Sequence, residues 1–334
     1  MRPGEGLVIL SVSMTGISFQ SSVIEFHYQR VGSGDTADYV RLPPELFALA
    51  PKGEFSDGRY GRVAGLVLPA GRYEFTRFAG RWSSTFFQPD FRLSKQFEAA
   101  AGAVVYAGNF NLHIMREPER EKHSVSPEWN DEAASDFAAI SGRAPWLRRE
   151  SVRVDIKFDE RDKARLQRVR SLYAAAERDA DAKFELGVAL VRGHRTTLPF
   201  HLRADLPAGL KLLTGAAEQG HGDAAYQLGA AHEGDVALFA GLVQRDHAQA
   251  LAFYRQAGEA GSFLAMSRLA RIYQAGDLGA QADPAQAAQW LQRARDLVGR
   301  SDDARRRYEA MARVCKAFGS GGETYRRKHG LCDI

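Results

Sequence analysis

The sequence predicts an α+β chain built as two domains. An antiparallel β-sandwich is expected over residues 1–159, followed by an α-helical solenoid over residues 160–334. Three observations carry that expectation. Apolar residues alternate with a period of two up to about residue 158, and from Glu160 the period changes to 3.6. The second half also repeats itself, with Leu186, Leu228 and Leu269 spaced 42 and 41 residues apart. A chain of 334 residues is long enough to bury two cores of ordinary size.

The strands come first. Leu7-Val8-Ile9-Leu10 is the only continuously apolar run near the start, and Ser11-Val12-Ser13-Met14 then alternates, which reads as a strand. A secretory signal would need an apolar stretch of about 7–15 residues, so none is expected within this chain. Ile24, Phe26 and Tyr28 fall on one face of a second strand. Val63 to Leu68 runs into the turn Pro69-Ala70-Gly71, after which Tyr73 and Phe75 resume a strand. Val104, Tyr106, Gly108, Phe110, Leu112 and Ile114 predict one apolar face along a long strand, with Asn109, Asn111 and His113 opposite. Val152, Val154, Ile156 and Phe158 predict a last half-buried strand. About seven strands separated by Gly/Pro turns favour a sandwich.

Residues 116–150 break the alternation. Arg116 to Lys122 is a mixed-charge loop, and Ala133, Phe137 and Ile140 share a face of a short helix over Glu132–Ile140. Trp129 and Trp146 flank that helix. A Trp in a polar loop either binds a ligand or caps a sandwich edge, and the second role is the more frequent. The series Leu68-Pro69-Ala70-Gly71-Arg72-Tyr73, Phe97, Gly102 and Val105-Tyr106-Ala107-Gly108-Asn109 resembles a small β-sandwich domain of bacterial envelope lipoproteins.

From Glu160 the helices begin. Leu166, Val169, Leu172 and Tyr173 stripe a helix that starts near Asp159, with no Gly/Ser/Pro linker after Phe158. Direct docking of the solenoid onto the sandwich is therefore expected. Three similar copies follow, at about 181–220, 222–261 and 262–299. Each fits a helix–loop–helix hairpin. Gly187, Gly229 and Ala270 let the paired helix approach, and Gly193, Gly234 and Gly276 suit C-caps. Asp205, Asp246 and Asp283 suit N-caps of the second helices, and Gly220 and Gly261 end the first two of those. One hairpin cannot bury its apolar face alone, so the copies must stack. These residues and spacings resemble the Sel1-like repeat, a relative of the tetratricopeptide repeat. The Gly-to-Asp interval is 7 residues in the third copy and 12 in the first two, whose inserts carry Leu198, Phe200 and Leu202, or Val236, Leu238, Phe239, Leu242 and Val243. Such inserts either form a binding lip or cover helix ends.

Composition narrows the function. Residues 1–159 carry 19 basic and 20 acidic side chains, residues 160–299 carry 17 and 16, and residues 300–334 carry 9 and 5. The excess lies in the tail, so neither large segment offers the basic face that nucleic-acid binding needs, and no nucleic-acid partner is expected. Arg outnumbers Lys 36 to 9, as the codon bias of a GC-rich bacterial genome would produce. No apolar run spans a bilayer, so no transmembrane segment is expected. There is no phosphate-binding G-x-x-x-x-G-K-[ST] loop and no G-x-S-x-G elbow. His194 and His201 stand seven apart without a placed carboxylate or Cys partner, and His232-Glu233 lacks the second His of a zincin helix. No catalytic residue, metal or cofactor is assigned. Cys315 and Cys332 flank Gly319-Ser320-Gly321-Gly322, and a disulfide between them is the preferred reading in an oxidising compartment.

The resemblance implies a non-enzymatic scaffold that binds proteins. Some bacterial members carry a Cys pair in each repeat and are associated with β-lactams; this chain lacks the pairs, so that property is not carried over. The expected role is to present a helical groove to a protein or peptide partner. Its expected lining is Phe184, Val188, Arg192, Tyr226, Ala230, Glu233, Ser267, Arg271 and Gln274, a mix of aromatic, Arg and amide groups suited to peptides. The expected compartment is the periplasm or cell envelope if an export signal precedes residue 1, and the cytoplasm otherwise. The alternative is an enzyme or glycan-binding protein that uses the sandwich, with Trp82 and Trp129 as stacking platforms.

Overall fold

The computed structural model describes residues 1–16, 22–34, 37–42, 55, 59–82, 85–87, 92–117, 122–193, 200, 202–234, 239 and 241–317. The chain divides into two compact units, Met1–Val169 with Gly193–Ala204, and Arg170–Arg192 with Asp205–Ile334.

The first unit holds two sheets. One contains β1 (Glu5–Gly16), β4 (Tyr60–Pro69), β8 (Val104–Glu117), β9 (Lys122–Asn130) and β10 (Arg153–Val154). Its order is β10-β8-β1-β4, with β9 also on β8. The other contains β2 (Ser22–Arg30), β3 (Asp38–Leu42), β5 (Gly71–Trp82), β6 (Thr85–Phe87) and β7 (Lys95–Ala99), in the order β3-β2-β5-β6 with β7 also on β5. Every pairing in the second sheet is antiparallel. The first sheet is mixed, because β1 and β10 run parallel to β8 while β4 and β9 pair antiparallel. The core lies between the sheets: Val8, Leu10 and Val12 from β1 and Phe110 and Leu112 from β8 meet Phe26, Phe75 and Phe97 from the opposite sheet. The Phe75 and Phe110 rings stack with centroids 4.7 Å apart.

The long strand β8 departs from the single apolar face expected of it. Val104 and Tyr106 pack on the outer side of the sheet with Phe137 and Ile140, whereas Ala107, Phe110, Leu112 and Ile114 face the inter-sheet core. The cause is one extra residue. Ile9 pairs with Tyr106 but Leu10 pairs with Gly108, so the register shifts at Ala107 and every later side chain changes face. Gly108 takes φ +101°, and a Cβ there would lie 3.1 Å from both the Asn130 carbonyl oxygen and an Ile156 methyl. The last expected strand is shorter than the alternation implied: only Arg153 and Val154 pair, while Ile156 and Phe158 pack against the core without joining the sheet.

Beyond the shift, the outer face of β1 and β8 is polar and buried. Ser11, Ser13, Thr15, Asn109, Asn111 and His113 are all nearly or fully inaccessible. Asn109 Nδ2 donates to Ser11 Oγ at 2.7 Å, and Asn111 Nδ2 donates to Thr15 Oγ1 at 2.9 Å, so side chains cross-link the parallel pair. Helix α1 (Ala133–Ile140) closes one end of this face. Its Asp136 accepts from Ser11 and Tyr106 hydroxyls and pairs with Arg59 at 3.0 Å. Burial pushes the Asp136 carboxyl up, against the pull of Arg59 and the two hydroxyls.

Helix α2 (Glu160–Ala175) starts with Asp159, whose carboxylate accepts from the Asp162 N–H at 2.8 Å. Lys95, 1% exposed in β7, bonds Asp159 and Asp162 at 2.8 and 2.7 Å. Asp162 also accepts the Trp129 N–H at 3.0 Å.

The second unit is helical: α3 (Ala180–Arg192), α4 (Leu206–Glu218), α5 (Gly222–Glu233), α6 (His247–Glu259), α7 (Phe263–Ala275), α8 (Pro284–Arg300) and α9 (Asp302–Ala317). Helices α3–α4, α5–α6 and α7–α8 pair as hairpins, and α4–α5 and α6–α7 contacts stack them. Asp205, Asp246 and Asp283 each accept N–H bonds at the N-caps of α4, α6 and α8. Gly234 and Gly276 close α5 and α7 in the left-handed conformation. Gly187 and Gly209 mark the α3–α4 crossing, where a Cβ on Gly209 would lie 2.9 Å from the Gly187 carbonyl oxygen.

Candidate protein-binding surface of the helical repeats

The candidate surface lies on the first helices of the three hairpins, α3, α5 and α7. Their apolar stripes face inward: Leu186 and Leu190 on α3, Leu228 on α5 and Leu269 and Ile272 on α7 are buried. The remaining positions are what a partner can reach.

The nine expected lining residues divide into three groups. Arg192 and Gln274 are exposed. Phe184, Val188, Tyr226, Glu233 and Arg271 are half-buried. Phe184 stacks on His221 with ring centroids 4.3 Å apart, Val188 packs on the α4–α5 apolar cluster, and the Tyr226 ring sits 5.6 Å from that of Tyr254. Ala230 and Ser267, by contrast, are 7% and 0% exposed. Ser267 Oγ donates to the Phe263 carbonyl at 3.0 Å within its own helix. These two therefore do not line an open face. Both are buried on α5 and α7, which an offset of two residues from a Leu marker does not reveal.

Glu233 belongs to a network that spacing alone did not show. It accepts from Tyr254 Oη at 2.6 Å and from both Nε and Nη2 of Arg268. Arg268 Nη2 also donates to Asp277 at 3.1 Å. Arg268 is buried, and its Nη1 has no hydrogen-bond partner among the described residues. Burial opposes the Arg268 charge, but the bonds to Glu233 and Asp277 outweigh it and hold its pKa above the ordinary guanidinium value. Burial, then the Glu233 charge, pushes the Tyr254 hydroxyl up. The one sequence signal was an Arg inside the apolar stripe of Ala265, Leu269 and Ile272. Its partner stands 35 residues upstream, beyond any helical spacing rule.

A separate cleft of about 930 Å³ opens between the end of α2, α3 and α4, and none of the nine residues lines it. Tyr173, Leu186, Leu190, Leu210 and Leu242 give it apolar walls, with Lys183 and Lys211 at its border. Leu242, from the second insert, is 46% exposed, while Phe239 of the same insert packs into the repeat core. The insert thus covers helix ends with one side chain and presents another.

Trp129 is 0% exposed and packs edge-on against Phe110 at 5.6 Å, so it is a core residue and not a stacking platform. The side chains of Trp82 and Cys315, and Cys332, His194 and His201 entirely, lie outside the described residues. Among the described residues no group of three or more His, Cys, Asp or Glu is placed to hold a metal ion, and no helix is long and apolar enough to cross a membrane.

Stacked antiparallel hairpins with Gly-closed first helices and Asp-capped second helices define a helical-repeat protein. The Sel1 repeat family matches residues 180–221, 222–262 and 264–297, so the C-terminal half carries three Sel1 repeats. Among solved structures the chain is similar to a Sel1 repeat protein from Oxalobacter formigenes, at 25% identity over 42% of this chain and 96% of that one, with a TM-score of 0.34. It is also similar to c5321, a protective antigen present in uropathogenic Escherichia coli strains displaying an SLR fold. That match has 25% identity over 48% of this chain and 37% of the antigen, with a TM-score of 0.33. No curated protein matches the chain.

Proposed function

We propose that the chain is a non-enzymatic interaction protein of the bacterial cell envelope that presents its Sel1 repeats to a protein or peptide. The observation that carries this reading is the run of three consecutive repeats, since Sel1 repeat proteins generally mediate protein–protein interaction. The envelope compartment rests on the likeness of the Leu68–Tyr73 and Val105–Asn109 segments to envelope β-sandwich domains.

The contact face consists of Arg192, Arg271 and Gln274 with the half-buried edges of Phe184, Val188 and Tyr226. Arg192→Ala, Arg271→Ala and Gln274→Ala test it, because truncating a central Arg contact typically costs about 2 kcal/mol, roughly a 30-fold loss of affinity. Tyr226→Ala is the poorer probe, since Tyr226 packs against two buried clusters and its loss lowers stability. The measurement is cross-linked capture from envelope and cytosolic fractions of the host with wild type and each variant, alongside thermal melts. Loss of an envelope partner in variants that melt like wild type supports the reading. A partner retained by all three variants removes this face, and capture only from cytosol removes the compartment.

A further inference from the structure

We propose that the first unit carries a second, unrelated binding site: a pocket for a small organic anion, a carboxylate or phosphate ester built on a ring. The pocket opens where β3 and β4, the end strands of the two sheets, come together beside the segment that follows α1. Its volume is about 510 Å³, within the range of roughly 300–1,000 Å³ that holds a monosaccharide-sized molecule.

Three arginines line it, Arg41, Arg62 and Arg143, and no Asp or Glu does so among the described residues. Their states differ. Arg41 is held by Glu25, with Nε at 3.0 Å, and lies 5.1 Å over the Tyr39 ring. Arg143 Nη2 donates to the Val63 carbonyl at 2.8 Å. Among the described residues Arg62 has no carboxylate: its one bond runs from Nη1 to the Arg41 carbonyl at a long 3.4 Å, and its Nε is buried with no hydrogen-bond partner. A buried donor left unmade costs free energy, and three guanidiniums around one concavity repel each other. An oxyanion on Arg62 relieves both, since a guanidinium fork matches a carboxylate or phosphate.

The aromatic groups specify the rest of the ligand. Trp146 is 67% exposed and Tyr39 43% exposed, the most accessible aromatic rings among the described residues of this unit. An indole held open beside a cationic pocket suits the apolar face of a sugar or another flat ring. Leu7 and Leu66 supply the pocket's apolar floor. In the sequence Trp146 stands in a polar loop, where capping a sandwich edge is the more frequent role, but its 67% exposure favours the ligand.

Calorimetric titration of the full chain with glucuronate, glucose 6-phosphate and uncharged glucose tests the proposal. Binding of either acid, with glucose at least about 10-fold weaker, is expected. Whichever acid binds more tightly tells a carboxylate source from a phosphate source. Arg62→Gln is expected to weaken binding by about 10- to 100-fold at an unchanged melting temperature, with partial recovery in Arg62→Lys. Trp146→Ala is expected to weaken glucose 6-phosphate and leave inorganic phosphate as it was. Three results overturn the proposal: neither acid binding at up to about 10 mM, glucose binding as tightly as its acids, or Arg62→Gln binding like wild type.

Discussion

Asp246 and Asp283 show how a single carboxylate ends one segment and starts the next. Each accepts two backbone N–H groups of the helix it caps. The Gln249 N–H holds the Asp246 carboxyl below the ordinary value, and the Gln286 N–H does so for Asp283. A carboxyl depressed in the folded state contributes stability above its unfolded pKa of about 3.9 and loses it as pH falls through the lower, folded value. The repeats should therefore melt earlier once pH drops below about 4. A variant with both Asp246→Asn and Asp283→Asn keeps an acceptor at each cap but cannot titrate, so its melting temperature should fall less over that range. Melts followed by far-UV circular dichroism check this. Lys95 is a costlier residue to alter. Removing it by Lys95→Ala leaves Asp162 buried without its cation, and we expect a loss of about 3–5 kcal/mol in urea unfolding.

At the scale of elements, spacing exposed the helices better than the strands. A Leu, a Gly and an Asp recur in every repeat because a hairpin needs an apolar stripe, a left-handed stop and a cap, and each need selects a residue type. Strands lack such punctuation. The alternation in β8 looked continuous from Val104 to Ile114, yet the extra residue at Ala107 divides it between two faces, and an Ala-Gly pair does not announce that. Close crossings can be tested by contrast. Gly209→Ala should destabilise by about 1–3 kcal/mol, because the added Cβ meets backbone atoms of Gly187 and Val191. Gly215→Ala, where the nearest neighbour is the flexible Lys183 side chain at 3.7 Å, should instead stabilise by up to about 1 kcal/mol. Leu228→Ala should cost about 2–5 kcal/mol. Denaturant midpoints of the three variants decide.

Across the whole molecule, the division into a β-rich and a helical segment was legible, and the sites were legible only in part. Arg192 and Gln274 stand on the surface where the helical period put them, while Ala230 and Ser267 are buried. Periodicity within one helix marks its apolar stripe, but not how far burial extends to either side of it. No motif or spacing in the sequence marks the Arg62 pocket. Its arginines come from residues 41, 62 and 143, and only the meeting of two sheet edges and a post-helical loop brings them together. In the linear sequence each is one Arg among 36.

The parallel pairing of β1 with β8 sets a timetable for the newborn chain. Leu7 finds its partner in Val104, and its other neighbour, Val67, arrives in between. At about 5–20 residues per second, a ribosome takes roughly 5–20 s to make the stretch from the first strand to β8. Throughout that time Val8, Leu10 and Val12 have no completed sheet to enter, and they are the segment a nascent-chain chaperone would meet. Each helical hairpin, in contrast, closes with residues about 20 positions apart and needs nothing distant. Pulse-labelled hydrogen exchange during refolding should protect the amides of Leu213, Leu228 and Leu269 before those of Leu10 and Leu112. The half of the chain made last should be the half that settles first.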